Sequence, residues 1–256
     1  MRDIEQSKEN RYTKPIKRLL PFIGQLSDWE VTISVCRSFP LILFFPIILS
    51  KKEHRMHKQF IPYDAISNGG FQLARRIWDD GFIPNILYTS LRGGAYLGNA
   101  IHEWFKLVNK TGSPMLYAAV VAHSYSDRNE QTKMIVDGWT YPPEYLRSGD
   151  KILLVDDIFD SGATMNYLVS VFLEKGIPRS DIKIAVYDYK VFHGSKTQHE
   201  AIQPDYWCKK HDINDGDDSL WIHYLSHELL GLTPDELEKH YFSLYPELRE
   251  TFQGII

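Results

Sequence analysis

Residues 152 to 164 read Ile-Leu-Leu-Val-Asp-Asp-Ile-Phe-Asp-Ser-Gly-Ala-Thr, and the polarity of this stretch changes abruptly in its middle. Ile152, Leu153, Leu154 and Val155 make an unbroken apolar run, the pattern of a strand buried on both faces. Asp156 and Asp157 end the run and so mark the carboxyl end of a core strand. In open α/β sheets that end is where ligands bind, and a turn of small residues leading into a helix offers free backbone N–H groups to an anion. Asp160, Ser161, Gly162, Ala163 and Thr164 supply such a turn. Gly162 lets the backbone come close to a ligand, and Ser161 and Thr164 add hydroxyl donors. A helix from about Ala163 to Lys175 points its positive end at the same place.

From residue 60 onward the chain alternates helix and strand. Ser67 to Asp80 carries Phe71, Leu73, Ala74, Ile77 and Trp78 as a helical stripe, with Gly81 placed as its C-terminal cap. Asn85 to Thr89 reads as a strand, Gly94 to Val108 as a helix, Met115 to Val121 and Lys151 to Val155 as strands, and Ile182 to Lys190 as another. Strands alternating with helices imply parallel βαβ units with right-handed crossovers, hence an α/β fold with a doubly wound, mainly parallel sheet. Residues 191–228 break the alternation with short, aromatic-rich segments, which suggests a small hood subdomain over the sheet's carboxyl edge. Thr233-Pro234-Asp235-Glu236 is a capping box with proline at the first helical position. The expected organisation is an atypical N-terminal extension over 1–55, a main domain over 56–230 and a C-terminal helical segment over 231–256.

Charge excludes some classes of partner. The formal net charge is −4 with both signs interspersed, so no footprint for nucleic acid or an anionic membrane is visible. The expected partner is a small molecule. The two cysteines, Cys36 and Cys208, are far apart and in no metal-ligand spacing, which fits a reducing cytoplasm. The ten histidines are scattered and read as surface groups. In the extension, Phe39 to Leu49 is apolar but too short to span a bilayer, and Pro40 and Pro46 interrupt it. It reads as an interfacial anchor, a packing arm, or a stretch upstream of a true start at Met56, the last two being preferred to the first.

The stretch 152–164 resembles, at every position, the phosphoribosyl diphosphate (PRPP) signature of the type I phosphoribosyltransferases. A second piece agrees. Ser90-Leu91-Arg92-Gly93-Gly94 follows the Asn85 strand, and paired glycines beside an arginine fork suit phosphate oxygens. It is similar to the loop by which purine members of the family hold the pyrophosphate of PRPP, and by resemblance the Leu91–Arg92 peptide is expected to be cis. A third is the long polar stretch holding Ser124-Tyr125-Ser126-Asp127-Arg128-Asn129-Glu130, which lies where the family has a mobile Ser-Tyr loop. A plain surface hairpin is the other reading of it.

The resemblance implies that Asp156 and Asp157 handle the ribose hydroxyls and a magnesium ion, and that residues 160 to 164 hold the 5′-phosphate. It further implies that Leu91, Arg92, Gly93 and Gly94 meet the pyrophosphate and that Asp160 is the general base. Lys190 ends its strand where the family places a lysine on the purine's exocyclic oxygen; an ammonium only donates, so it favours 6-oxopurines. Trp221 and Ile222 resemble the segment stacked on the base, with Trp207 as the other stacking candidate. Glu228 falls near a position that in some members faces the 2-substituent or the metal, although Leu225-Ser226-His227-Glu228 departs from the Pro-Trp-acid pattern of microbial relatives. The implied activity is Mg²⁺-dependent transfer from PRPP to hypoxanthine, guanine or xanthine by a cytoplasmic homo-oligomer that binds neither nucleic acid nor membrane. Three rivals stand beside it: a PRPP-binding regulator without turnover, a phosphoribosyltransferase for another base, and a membrane-tethered nucleotide-binding protein. Asp160 weighs against adenine and orotate enzymes, which usually carry alanine there.

Overall fold

The computed structural model describes residues 29–31, 49–51, 57–110, 112–125, 133–193, 202–214 and 220–255. The chain divides into two units, residues 1–55 and 56–256. In the first, strand β1 (Trp29–Val31) pairs antiparallel with β2 (Leu49–Lys51). The apolar stretch from Phe39 falls, Leu49 aside, outside the described residues.

In the second unit the elements run β3 (His57–Ile61), α1 (Tyr63–Asp79), β4 (Ile86–Leu91), α2 (Ala95–Val108), β5 (Leu116–Tyr125), β6 (Lys133–Trp139), β7 (Ile152–Phe159), α3 (Ala163–Glu174), β8 (Ile182–Phe192), β9 (Tyr206–Ile213) and β10 (Leu220–Tyr224). Short α4 (Pro234–Leu237), a π turn over Glu238–Phe242 and α5 (Leu248–Phe252) follow. Six strands form one sheet in the order β6-β5-β4-β7-β8-β9, parallel throughout except for β6. The sheet is therefore mainly parallel and α/β in class, as expected.

Period-two alternation along β7 explains why helices lie on both faces. Leu153 and Val155 join Leu73 and Ile77 of α1 and Leu97, Ile101 and Phe105 of α2 in one core. Ile152 and Leu154 point the other way, into a second core with Leu168, Val169 and Phe172 of α3. Helix α1 begins at Tyr63, a turn before its most obvious stripe, because Ile66 is also fully buried and Pro62 leads in with extended backbone. Gly81, with φ +74°, sits just past the Asp80 cap as the sequence suggested.

Two elements differ from the sequence reading. The polar stretch after β5 is partly strand: β5 runs on to Tyr125 and β6 returns antiparallel to it, with a register shift between Val121 and Ala122. Residues 206–213, within the range read as a hood, are the edge strand of the main sheet, parallel to β8. Only β10 stands apart, in a two-stranded parallel ladder with β3. At the C-terminal end both capping-box bonds form: Glu236 N donates to Thr233 Oγ1 at 3.2 Å and Thr233 N donates to Glu236 Oε2 at 2.9 Å. Lys58 of β3 adds an ion pair to Glu236 at 2.9 Å. No helix among the described residues is long and apolar enough to cross a membrane.

Candidate functional site

Parallel pairing aligns Thr89 of β4 with Val155 of β7 and Val155 with Ala185 of β8. Everything that follows those residues therefore emerges on one edge: Ser90 to Gly94, Asp156 to Thr164, and Asp188 to Lys190. These are the segments that the resemblance assigned to pyrophosphate, ribose, 5′-phosphate and base. The sheet brings them together because parallel strands carry their C-terminal ends to the same edge.

The two glycines set the spacing between the first two loops. A Cβ on Gly93 would lie 2.4 Å from the Asp157 Cγ, and one on Gly94 would lie 2.6 Å from the Val155 carbonyl oxygen and 2.9 Å from the Asp156 Cα. Only a residue without a side chain permits this approach. The loop backbone thus lies directly against the acidic pair. The Leu91–Arg92 peptide is cis, and Arg92 is exposed beyond it.

Burial pushes the Asp156 carboxyl well above the usual carboxylate range, and the neighbouring Asp157 charge pushes it further, while a hydrogen bond with Ser90 opposes both. Its Oδ1 accepts the Asp157 N–H at 3.0 Å, and Asp157 Oδ1 accepts the Ile158 N–H at 2.9 Å. Two acids kept this close favour binding hydroxyl donors or a cation. Among the described residues no group of three or more His, Cys, Asp or Glu side chains could enclose a metal. A pair of carboxylates nonetheless suits a hard divalent ion that keeps water or ligand oxygens for most of its shell.

Beyond β7 the chain closes a cavity of about 160 Å³ lined by residues from Asp156 to Met165, among them Asp160, Ser161, Gly162, Ala163 and Thr164. Gly162 is the N-cap of α3 at φ +80°, and a Cβ there would meet the Phe159 ring at 2.5 Å. Ser161 Oγ accepts the Ala163 N–H at 3.3 Å. Ala163, Thr164 and Met165 of the first turn of α3 line this cavity, and the first N–H groups of a helix have no intrahelical partners, an arrangement that suits an anion.

Lys190 is buried, and its Nζ lies 3.3 Å from Asp160 Oδ2. The expected base-contacting lysine and the expected proton acceptor therefore adjoin. Other expected base residues go elsewhere. Ile222 is 5% exposed within the α1 and α2 core, so its side chain is packed away from ligand. Trp221 is exposed and, with Glu228, lines a separate depression of about 270 Å³ together with Lys58, His223, Leu230 and Gly231. Glu228 Oε2 accepts the Tyr224 N–H at 3.0 Å, away from the acidic pair. Trp207 packs on Tyr189, ring centroids 5.5 Å apart, at the margin of the α3-side core. Ser124 and Tyr125 are the last residues of β5; their side chains, and residues 126–132, lie outside the described set.

Four residues that the sequence reading passed over enter the site. His227, one position before Glu228, approaches Asp157: its Nε2 is 3.1 Å from Oδ2. Its ring stacks on Tyr224 at 5.3 Å. The Tyr224 hydroxyl donates to Asp188 Oδ2 at 2.7 Å, with the Asp157 carbonyl oxygen 3.2 Å away, and burial beside these acids raises its pKa. Asp188, fully buried, also meets His211 Nε2 at 2.7 Å. The departure of residues 225–228 from the microbial pattern was the signal that could have flagged His227.

A family model described as phosphoribosyl transferase domain matches residues 64–222. Comparison with curated proteins gives no match. Among solved structures, a purine phosphoribosyltransferase from Pyrococcus horikoshii Ot3 is similar, with TM-score 0.51 and 17% identity over 70% of this chain and 99% of that one. So is a hypothetical protein from Neisseria gonorrhoeae with bound ppGpp, with TM-score 0.52 and 19% identity over 78% of this chain and 99% of that one. At such identities both likenesses bear on fold alone.

Proposed function

Because this chain belongs to the type I phosphoribosyltransferase family, we propose that it transfers the 5-phosphoribosyl group of PRPP to a 6-oxopurine, releasing pyrophosphate and forming the purine nucleoside monophosphate. The observation that carries the base assignment is Lys190, a buried ammonium 3.3 Å from Asp160 at the edge where the base must lie. A lysine ammonium has donors only, so it rewards an exocyclic oxygen and opposes the amino group of adenine.

In this reading the cavity from Asp160 to Thr164 holds the 5′-phosphate on the N-terminus of α3. Arg92 and the Gly93–Gly94 backbone receive the pyrophosphate, and Asp156 and Asp157 receive the ribose hydroxyls. N9 of the purine forms a bond to the anomeric carbon as the bond from that carbon to the pyrophosphate oxygen breaks. Asp160, half exposed, takes the proton leaving N7. Charge develops on the sugar ring and the departing pyrophosphate, so fixed donors and position supply most of the rate. Asp156 and Asp157 would hold Mg²⁺ jointly with substrate oxygens, and the ion would neutralise pyrophosphate charge. The two fold neighbours, a purine phosphoribosyltransferase and a protein with bound ppGpp, agree with a purine site.

A second reading, a nucleotide-binding regulator without turnover, draws on the ppGpp held by the Neisseria protein. The adjoining Asp160 and Lys190 favour the enzyme. The test is incubation with PRPP and Mg²⁺ against hypoxanthine, guanine, xanthine, adenine, uracil and orotate, with nucleotide formation followed by chromatography. Product from 6-oxopurines alone supports the proposal. Product from adenine or a pyrimidine, or no product while PRPP still binds in a calorimeter, overturns it.

A further inference from the structure

We propose that His227 is a positioning residue of this site, fixing the Asp157 carboxylate in the orientation that receives the ribose hydroxyls; this rests on the reading of Asp157 as a PRPP-binding acid. The carboxylate is held on three sides. Ile158 N–H donates to Oδ1 at 2.9 Å, Gly93 lies against its carbon, and His227 Nε2 approaches Oδ2 at 3.1 Å. Each oxygen keeps a further lone-pair direction, and those are what a sugar hydroxyl would use.

The imidazole is itself contacted at both nitrogens and flanked by two aromatic rings. Nδ1 is 3.0 Å from Ser226 Oγ. The ring stacks on Tyr224, centroids 5.3 Å apart and 16° from parallel, and lies nearly parallel to Tyr96 at 6.5 Å. Tyr224 is locked by Asp188, and Tyr96 stands in the first turn of α2, two residues after Gly94. His227 therefore connects the segment after β10 with the glycine loop and the acidic pair. Side-chain exposures of 12% for His227 and 11% for Asp157 keep the contact largely out of bulk water, so that a polar contact is screened less.

A ring that merely fills space could be any ring, and that separates the two roles. His227→Phe keeps a stacked ring and removes the donor, whereas His227→Gln keeps an N–H donor near the place of Nε2. Melting curves and near-ultraviolet circular dichroism confirm folding of both. Calorimetry with PRPP and Mg²⁺ should show His227→Phe weakened roughly tenfold or more, the effect of losing a polar contact with a carboxylate. The KM for PRPP should rise in parallel, kcat and the KM for the base should hold within about threefold of wild type, and His227→Gln should recover most of the loss. Wild-type PRPP affinity in the folded Phe variant overturns the proposal, as does equal loss in the Phe and Gln variants. If the wild-type chain binds no PRPP, the functional reading fails instead. The contact is then still tested by side-chain nitrogen NMR of the ligand-free protein: the His227 Nε2–H signal should shift in Asp157→Asn, and an unmoved signal would refute the pairing.

Discussion

The Lys190 ammonium lies 3.3 Å from the Asp160 carboxylate, the first 9% exposed and the second 52%. Such a pair places a donor for the base and an acceptor for its proton side by side, one fixed by burial and the other open to ligand. Asp160→Asn keeps an oxygen for Lys190 but cannot take a proton. Its kcat should fall by about 10²- to 10⁴-fold, the usual contribution of a general base, with PRPP affinity nearly intact. Turnover and calorimetry on the same preparation decide it; a parallel loss of affinity would remove Asp160 from the catalytic role.

Gly93 should tolerate no side chain. A Cβ there would lie 2.4 Å from the Asp157 carboxylate, so Gly93→Ala must displace either the glycine loop or the acid. PRPP affinity should fall at least about tenfold, with a stability loss of about 1–3 kcal/mol. Gly81→Ala is the contrast: nothing lies within 4 Å of its Cβ, and only its φ of +74° is unfavourable. It should cost about 1 kcal/mol and leave PRPP binding unchanged. Melting curves and calorimetry on the two variants measure both effects.

Asp156 is an acid whose ionised form the fold disfavours, since burial and Asp157 both raise its pKa. Asp156→Asn should therefore stabilise the ligand-free protein by about 1 kcal/mol, a rise of roughly 2–4 °C in melting temperature, while abolishing PRPP binding. An acid retained at a cost in stability is the mark of a functional group. A variant that melts lower than wild type in the presence of a chelator would count against this.

The capping box supplies a pH dependence of opposite sign. The Thr233 backbone N–H and then the Lys58 ammonium hold Glu236 below its ordinary 4.5. A depressed carboxyl stabilises the fold above the unfolded pKa, and that contribution is lost as pH falls through the folded pKa. Glu236→Gln should cost under about 1 kcal/mol at pH 7, because the ion pair is partly exposed. The gap between variant and wild type should close below pH 4.5 in paired melts. A gap that persists undiminished in acid would mean that packing, not charge, is lost.

What the sequence made legible is what depends on local pattern. The apolar run of β7 ending at Asp156 located the sheet edge, and the glycines of two loops located the phosphate contacts, because polarity and chain flexibility are written in consecutive residues. Strand β9 escaped notice because an edge strand is covered on one side only, and its consecutive exposed residues Lys209 and Lys210 interrupt the apolar period. The same applies to β6. Side-chain pairing across the chain was illegible in principle: nothing near Asp157 in sequence points to His227, and Asp188, an acid inside a strand, meets Tyr224 and His211 only once β8, β9 and β10 are assembled. Ile222 shows the opposite failure, since an aliphatic residue beside an exposed tryptophan fits core and ligand contact equally until its burial is known.

Phosphorus NMR of wild-type protein with PRPP, Mg²⁺ and hypoxanthine, guanine or xanthine in turn most directly tests transfer at this edge of the sheet. PRPP resonances should give way to equal amounts of pyrophosphate and a nucleotide 5′-phosphate in the presence of at least one of these bases, and not with Asp157→Ala. Unchanged PRPP resonances with all three bases would contradict the proposed reaction.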